Sequence, residues 1–111
     1  MLNRSAIEQQ LEHTLDQIDL PGIGEKFAGK VRDCYLLGDR RVLITSDRLS
    51  AFDRVLTTIP FKGQILNQIA TYWFSKTEHI IPNHILEQPH PNAVITREVD
   101  ILPVEIVVRG Y

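Results

Sequence analysis

Two strand-forming segments joined by a short turn sequence constrain the fold of this chain most strongly. Residues 31–37 and 41–45 are rich in side chains that favour strands, and Gly38-Asp39-Arg40 lies between them. A connection this short joins antiparallel neighbours. The sequence therefore predicts a β-hairpin over residues 31–45.

The N-terminal segment has the spacing of an amphipathic helix. Ser5 and Glu8 have the spacing of a capping box, which predicts a helix from about Ala6 to Gln17. Its apolar face would consist of Ile7, Leu11, Leu15 and Ile18. The Pro21–Gly24 sequence then interrupts regular structure.

A second helix is predicted to open at Gly63 and to end before Pro82. Its apolar face, which we expect to pack in the core, comprises Ile65, Leu66, Ile69, Tyr72 and Trp73. Residues 55–59, 93–97 and 103–109 are predicted strands, and residues 79–92 are a predicted connection. This order of elements favours an α+β fold with a mostly antiparallel sheet and packed helices.

Composition excludes several classes of protein. The chain has 111 residues, a formal net charge of −2 and one cysteine, Cys34. These values favour one domain with its own core and argue against a DNA-wrapping protein. Without a partner for a disulfide, an apolar leader or a membrane-length apolar run, we expect a cytoplasmic protein with no nucleic-acid or membrane partner.

The charge distribution is uneven along the chain. Residues 26–54 carry seven basic and four acidic side chains, whereas residues 1–25 carry one basic and five acidic side chains. A local basic excess in a nearly neutral chain suggests a small anionic ligand. A solvated strand face explains the same pattern, and charge alone leaves both interpretations open.

A glycine-containing segment lies inside this basic region. Residues 24–31 satisfy G-x-x-x-x-G-K, but Val31 stands where a P-loop needs Ser or Thr, and a strand follows instead of a helix. We therefore reject a P-loop. Gly29 and Lys30 could still form a loop that covers nucleotide phosphates, as in kinases, or an ordinary turn with a surface lysine.

Two further segments contain candidate polar site residues. Residues 47–53 form a predicted loop, in which the carboxylates of Asp47 and Asp53, the guanidinium of Arg48 and the hydroxyl of Ser50 could line a polar site. Alternatively, the Asp and Ser side chains cap backbone amides of a turn. Glu105 and Arg109 would share one face of the last predicted strand. There they could face a cleft, in which Arg109 would suit a phosphate, or pair with each other.

Metal and nucleophile chemistry have weaker support. The four histidines are scattered, no metal-binding motif occurs, and we expect no metal site in this chain. Cys34 lies in an apolar strand, where a buried structural role is expected. The Tyr72-Trp73-Phe74 run is likewise expected to serve the core.

Several motifs in fixed order resemble the phosphoribosylaminoimidazole-succinocarboxamide synthase (SAICAR synthetase) family of purine biosynthesis. The resemblance runs from about Phe27 to Tyr111. It is carried by residues 29–33 (GKVRD), 45–53 (TSDRLSAFD), 59–63 (IPFKG), 73–74 (WF), 82–84 (PNH) and 102–109 (LPVEIVVR). The fold that it implies is the N-terminal lobe of a SAICAR synthase-like fold, related to kinases and ATP-grasp proteins.

The resemblance implies an ATP-dependent ligase that joins L-aspartate to carboxyaminoimidazole ribonucleotide through an acyl phosphate, with Mg²⁺, and forms SAICAR, ADP and phosphate. It assigns Gly29, Lys30 and Arg32 to ATP and Arg109 to the phosphate of the ribonucleotide. The segment between Arg97 and Leu102 would lie against the adenine, like a kinase hinge. The remaining implied substrate-binding residues are Asp47, Ser50, Asp53 and Glu105.

The resemblance also predicts the organisation of the chain. Residues 1–24 would form a helix and turn, 25–102 an ATP-covering lobe, and 103–111 the first strand of a second lobe. The family's acidic Mg²⁺ ligands lie in that second lobe, so we expect this chain to be inactive alone and its open strand edge to allow a homo-oligomer. A non-catalytic nucleotide-binding or interaction module derived from the lobe is the alternative, and nucleic-acid binding ranks third.

Overall fold

The computed structural model describes residues 3–111 as an antiparallel sheet flanked by helical and extended segments. Two helices and seven strands follow one another in the order α1 (Arg4–Gln10), β1 (Glu25–Ala28), β2 (Arg32–Leu37), β3 (Arg40–Thr45), β4 (Arg48–Ala51), β5 (Arg54–Thr58), α2 (Lys62–Thr77), β6 (Ile85–His90) and β7 (Ala93–Arg97). Five strands form one sheet in the order β1-β2-β3-β7-β6, and β4 pairs with β5 separately. All pairs are antiparallel, which confirms the predicted α+β class.

The predicted hairpin forms the centre of the sheet. Strands β2 and β3 pair from Arg32 opposite Thr45 to Leu37 opposite Arg40. Gly38 opens the two-residue turn with φ 69°, a conformation that glycine adopts without a Cβ penalty. The turn sequence therefore sets the register of the two central strands.

One face of this sheet carries the apolar core. Ile18, Tyr35, Ile44 and Ala93 are buried together, and Leu15 and Val42 pack against them. The phenol of Tyr35 accepts a hydrogen bond from the Leu20 N–H at 2.9 Å. These contacts hold residues 15–20 against one face of the sheet.

The predicted first helix is mostly wrong, because α1 ends at Gln10. Asn3, and not Ser5, caps it by accepting a hydrogen bond from the Ala6 N–H at 2.8 Å. Beyond the helix, Leu15 exchanges hydrogen bonds with Asp47, whose N–H donates to Leu15 O and whose side chain accepts from Leu15 N. These tertiary bonds replace the helical ones, so Leu15 and Ile18 reach the core from an extended backbone.

Helix α2 forms as predicted, but its orientation is the opposite of the expected one. The predicted core residues Ile65, Leu66, Ile69, Tyr72 and Trp73 are 47% to 59% exposed. The side that faces the sheet carries Gly63 and Asn67, which are buried. A Cβ on Gly63 would lie 2.3 Å from the Thr45 carbonyl oxygen, so this close backbone approach determines which side of the helix faces inward.

The C-terminal third combines a confirmed strand, an unexpected strand and a predicted strand that does not form. Strand β7 matches the prediction, whereas β6 lies inside the predicted connection. Pro89 and two register irregularities weaken the strand pattern of β6, as is typical of an edge strand. Residues 103–109 form no strand and are exposed, because no strand lies beside them within residues 3–111 to accept their hydrogen bonds.

Neither described helix is long and apolar enough to cross a membrane.

Candidate functional site

The glycine-containing loop between β1 and β2 is a tight turn. The Gly29 N–H donates to the Arg32 carbonyl oxygen at 2.8 Å. A Cβ on Gly29 would lie 2.6 Å from that same oxygen. Residue 29 therefore has to be glycine for the chain to turn here without displacing the start of β2.

Lys30 at the tip of this loop meets the tip of the β4–β5 hairpin. Its ammonium forms an ion pair with the carboxylate of Asp53, and both side chains are largely exposed. Asp53 and Phe52 both have positive φ, 61° and 51°, as the two central residues of a type I′ turn do. The structure therefore brings together Gly29, Lys30 and Asp53, three of the predicted site residues.

Arg48 lies beneath the glycine loop; the sequence indicated it only as one polar group of the 47–53 segment and assigned it no ligand. Its side chain is only 11% exposed, and the guanidinium donates to Lys30 O at 3.0 Å, to Gly29 O at 3.2 Å and to Asp33 Oδ1 at 2.7 Å. It also donates to the carbonyl oxygen of Asp16. The sequence did contain an indication of this role: Asp33 is a charged residue within a predicted strand, and a buried carboxylate requires a cationic partner.

Asp47 has the capping geometry that the sequence left open as an alternative to a cleft role. Its Oδ1 accepts from the Gly63 N–H and its Oδ2 from the Leu15 N–H, each at 2.8 Å, and the residue is buried. Ser50 is half-buried on β4, opposite Val55. The structure thus separates Asp47 from Asp53, since strand β4 lies between them.

The sheet face opposite the core borders a cleft. Arg32, Cys34 and Leu43 line a cavity of about 280 Å³ together with the segment after β7, which contributes Val99 and Ile101. Cys34 is half-buried, whereas the sequence predicted a buried side chain. The cleft brings Arg32 together with the segment that was predicted to lie against adenine.

An ion pair ties that segment to the sheet. The Arg41 guanidinium donates two hydrogen bonds to the Glu98 carboxylate, both at 2.7 Å. The Glu98 N–H also donates to the Asp39 carbonyl oxygen at 2.8 Å. These bonds hold the backbone at the edge of the cleft, where it could contact a flat ligand.

His84 borders the same cleft and was not predicted as a site residue. Its ring packs edge-on against Phe74 with a centroid separation of 5.4 Å. Burial, and then the positive charge of Arg32, lower the pKa of His84 from its ordinary value of 6.5. The imidazole is therefore predominantly neutral at pH 7, with one nitrogen able to donate and the other able to accept. In the sequence, the Pro82-Asn83-His84 motif was the feature that could have identified His84 as a site residue.

The remaining predicted residues, Glu105 and Arg109, lie in the exposed segment after β7. No ion pair joins them to each other or to another side chain within residues 3–111. The intra-strand pair that the sequence allowed is therefore absent from the described residues, and the structure does not place either residue in the cleft just described.

The described residues also contain no group of three or more His, Cys, Asp or Glu side chains that could hold a metal ion. The buried carboxylates of Asp33 and Asp47 are already engaged by a guanidinium and by backbone N–H groups. Residues 3–111 therefore do not fit a magnesium ion, which prefers several free oxygen ligands.

The chain is similar to known proteins over most of its length. The SAICAR synthetase family model matches residues 25–111. A phosphoribosylaminoimidazole-succinocarboxamide synthase of Legionella pneumophila (strain Lens) is 52% identical over 97 residues, which cover 87% of this chain and 31% of that protein.

Two solved structures have the same fold. SAICAR synthase from Saccharomyces cerevisiae, complexed with SAICAR, matches with a TM-score of 0.68 and 23% identity over 76% of this chain and 36% of that chain. A type-2 SAICAR synthetase in complex with ADP matches with a TM-score of 0.64 and 24% identity over 71% of this chain and 35% of that chain. The chain spans about a third of the length of these relatives. From its extensive family match and its fold, the chain belongs to the SAICAR synthetase family.

Proposed function

We propose that this chain is the ATP-covering part of a ligase that joins L-aspartate to carboxyaminoimidazole ribonucleotide. In this reaction ATP phosphorylates the carboxylate of the ribonucleotide. The amine of aspartate then attacks the acyl phosphate and expels phosphate, so that the products are SAICAR, ADP and phosphate. The observation that carries the proposal is the position of Lys30 on a glycine turn, with Arg32 leading from that turn into a cleft bordered by residues 97–101.

The chemistry of phosphoryl transfer explains what these residues would do. Charge on the transferring group must be stabilised, and cationic side chains together with backbone N–H groups provide that stabilisation. Lys30 is available because its partner Asp53 is exposed, and exposed ion pairs of this kind contribute little. We propose that Lys30 exchanges Asp53 for a phosphate and that Arg32 binds a second phosphate oxygen.

The adenine would lie in the cleft against Cys34, Leu43 and the segment between Arg97 and Leu102. This side of the sheet offers an apolar surface beside a backbone held by the Arg41–Glu98 pair. A flat base needs both features, an apolar surface for stacking and backbone groups for hydrogen bonds. One structural relative is complexed with SAICAR and the other with ADP, which supports ribonucleotide and nucleotide sites in the family.

The other family roles extend this proposal to the remaining residues. Arg109 would bind the ribonucleotide phosphate, and Ser50, Asp53 and Glu105 would face the substrate. Asp47 would contribute by holding Leu15 and Gly63 in place. Magnesium would be held by acidic residues from the part of the family that this chain does not span.

Two further expectations complete the proposal. We propose a cytoplasmic protein, because a single cysteine suits a reducing compartment. We also propose that copies associate through the apolar segment 103–109, in which Val104, Ile106, Val107 and Val108 are 61% to 89% exposed.

Titration with ATP·Mg²⁺ tests the nucleotide site directly. In the ¹⁵N-labelled chain we expect amide shifts at residues 29–32 and 97–101, and we expect K30Q and R32Q to weaken binding. Arg40→Gln is the matched control, because Arg40 is exposed on the opposite face of the sheet. No shift in residues 29–32 at millimolar nucleotide would refute the nucleotide site.

An activity assay tests the proposed reaction. Aspartate-dependent ADP release is expected from a protein with the full length of the relatives, and its absence there would refute the ligase function. We expect no turnover from the 111-residue chain alone. Turnover by that chain would contradict its proposed role as an incomplete ATP-covering part.

A further inference from the structure

The contacts of Arg48 suggest a role beyond stabilising the fold. Its guanidinium binds the carbonyl oxygens of both Gly29 and Lys30, the first two residues of the glycine loop. We propose that Arg48 is a positioning residue that orients the N–H groups of Lys30 and Val31 toward the phosphates of the nucleotide. This inference deepens the proposed function and rests on it.

Peptide geometry links the two carbonyl contacts to the two N–H groups. In a trans peptide the C=O of one residue and the N–H of the next point in opposite directions within one plane. Holding the Gly29 and Lys30 carbonyls therefore directs the Lys30 and Val31 N–H groups away from Arg48. Within residues 3–111 neither N–H donates a hydrogen bond, so both remain available to an anion.

Arginine suits this role because its guanidinium is itself held firmly. Asp33, which is 2% exposed, accepts from Arg48 at 2.7 Å, and the Asp16 carbonyl accepts as well. The backbone of Arg48 is also held, since its carbonyl oxygen accepts from the Lys62 ammonium at 3.0 Å. A lysine could keep the charge opposite Asp33 but could not reach these separated acceptors with one ammonium.

The key variant is therefore Arg48→Lys, and Arg40→Lys is its matched control, because Arg40 is exposed and lies at the opposite end of the β2–β3 pair from Asp33. In R48K we expect the ¹⁵N order parameters of Lys30 and Val31 to fall from about 0.85 to about 0.6, while those of β2, β3 and β7 stay unchanged. We also expect the dissociation constant for ATP·Mg²⁺ to rise about tenfold, as loss of charge-assisted hydrogen bonds would cause. R40K should change neither quantity.

The order parameters need no ligand, so they separate the two hypotheses. If the parent chain fails to bind ATP·Mg²⁺, the proposed nucleotide site fails, while loosening confined to the loop in R48K still supports the positioning of that loop. An unchanged loop in R48K overturns the inference, as does loosening spread over the whole sheet, which would make the role structural. If R48K does not fold, D33N is used instead. For D33N we expect about threefold weaker ATP·Mg²⁺ binding and lower order parameters at Lys30 and Val31. No change in D33N would overturn the inference.

Discussion

The two faces of the five-stranded sheet differ in what covers them, although neighbouring residues of the same strands supply both. On one face Tyr35 and Ile44 are buried beneath the extended segment that contains Ile18. On the other face Cys34 and Leu43 border an open cleft. The difference shows that side-chain alternation along a strand places a packed core on one face, the closed face, and a cleft beside the part covered by α2 on the other, the open face.

Truncating adjacent residues of β2 should reveal this difference most strongly. Tyr35→Ala should lower the free energy of unfolding by about 4 kcal/mol, because it leaves a cavity in the closed face. The neighbouring Cys34→Ala should cost about 1 kcal/mol, since the residue is only half-buried. Chemical denaturation measures both values, and similar losses for the two variants would contradict the distinction between the faces.

The next largest effect should come from the contact between α2 and the sheet. Gly63→Ala should cost about 3 kcal/mol, because the new Cβ would lie 2.3 Å from Thr45 O and 2.7 Å from Ser46 O, and backbone atoms cannot move aside cheaply. Gly110→Ala is the control, since a Cβ added there would meet nothing within 4 Å. Thermal unfolding compares the two, and an equally stable G63A would show that α2 is not held this closely.

Asp47 joins the segment that covers the closed face to the helix on the open face. Asp47→Asn replaces one accepting oxygen with an amide donor, so either the Leu15 or the Gly63 N–H loses its partner. We expect a loss of about 2 kcal/mol, the typical cost of one unsatisfied buried group. Asp100→Asn, in an exposed segment, should be neutral. An equally small effect of D47N on denaturant unfolding would contradict a stabilising role for the two hydrogen bonds that Asp47 accepts.

The smallest expected effect concerns pH and the open face. Because the pKa of His84 is lowered in the folded chain, the unfolded chain binds more protons, so the contribution of His84 to stability is present above pH 6.5 and declines as the pH falls below it. H84Q should therefore show a smaller drop in melting temperature than the parent chain when the pH is lowered from about 7.5 to about 5.5. H79Q, at an exposed histidine, should retain the parent's drop, and identical pH profiles for H84Q and the parent would refute the assignment.

The predictable parts of this fold were those that depend on local patterns. The β2–β3 hairpin followed from a turn sequence between two strand-forming segments, and β7 followed from its apolar run. The first helix was mispredicted because Leu15 and Ile18 satisfy a helical spacing as well as the packing of an extended segment. Hydrogen bonds from Asp47, 32 residues away from Leu15, decide between these two conformations.

The candidate site was predictable to a similar degree. The loop residues Gly29 and Lys30 were found from spacing and resemblance, and the structure adds the contact of Lys30 with Asp53. The specific role of Arg48 was missed because it depends on carbonyl oxygens 18 and 19 residues earlier, which no local pattern reveals. His84 was missed for the same reason, since its neighbour Arg32 is distant in sequence.

By itself the sequence determined the antiparallel character of the sheet, the glycine turn beside a basic side chain and the family to which the chain belongs. Only the tertiary structure decided which side of each element faces inward. Helix α2 presents Gly63 and Asn67 to the sheet because close backbone approach there leaves no room for large side chains. Packing and hydrogen bonds between distant segments determine such orientations, and these interactions exist only once the chain has folded.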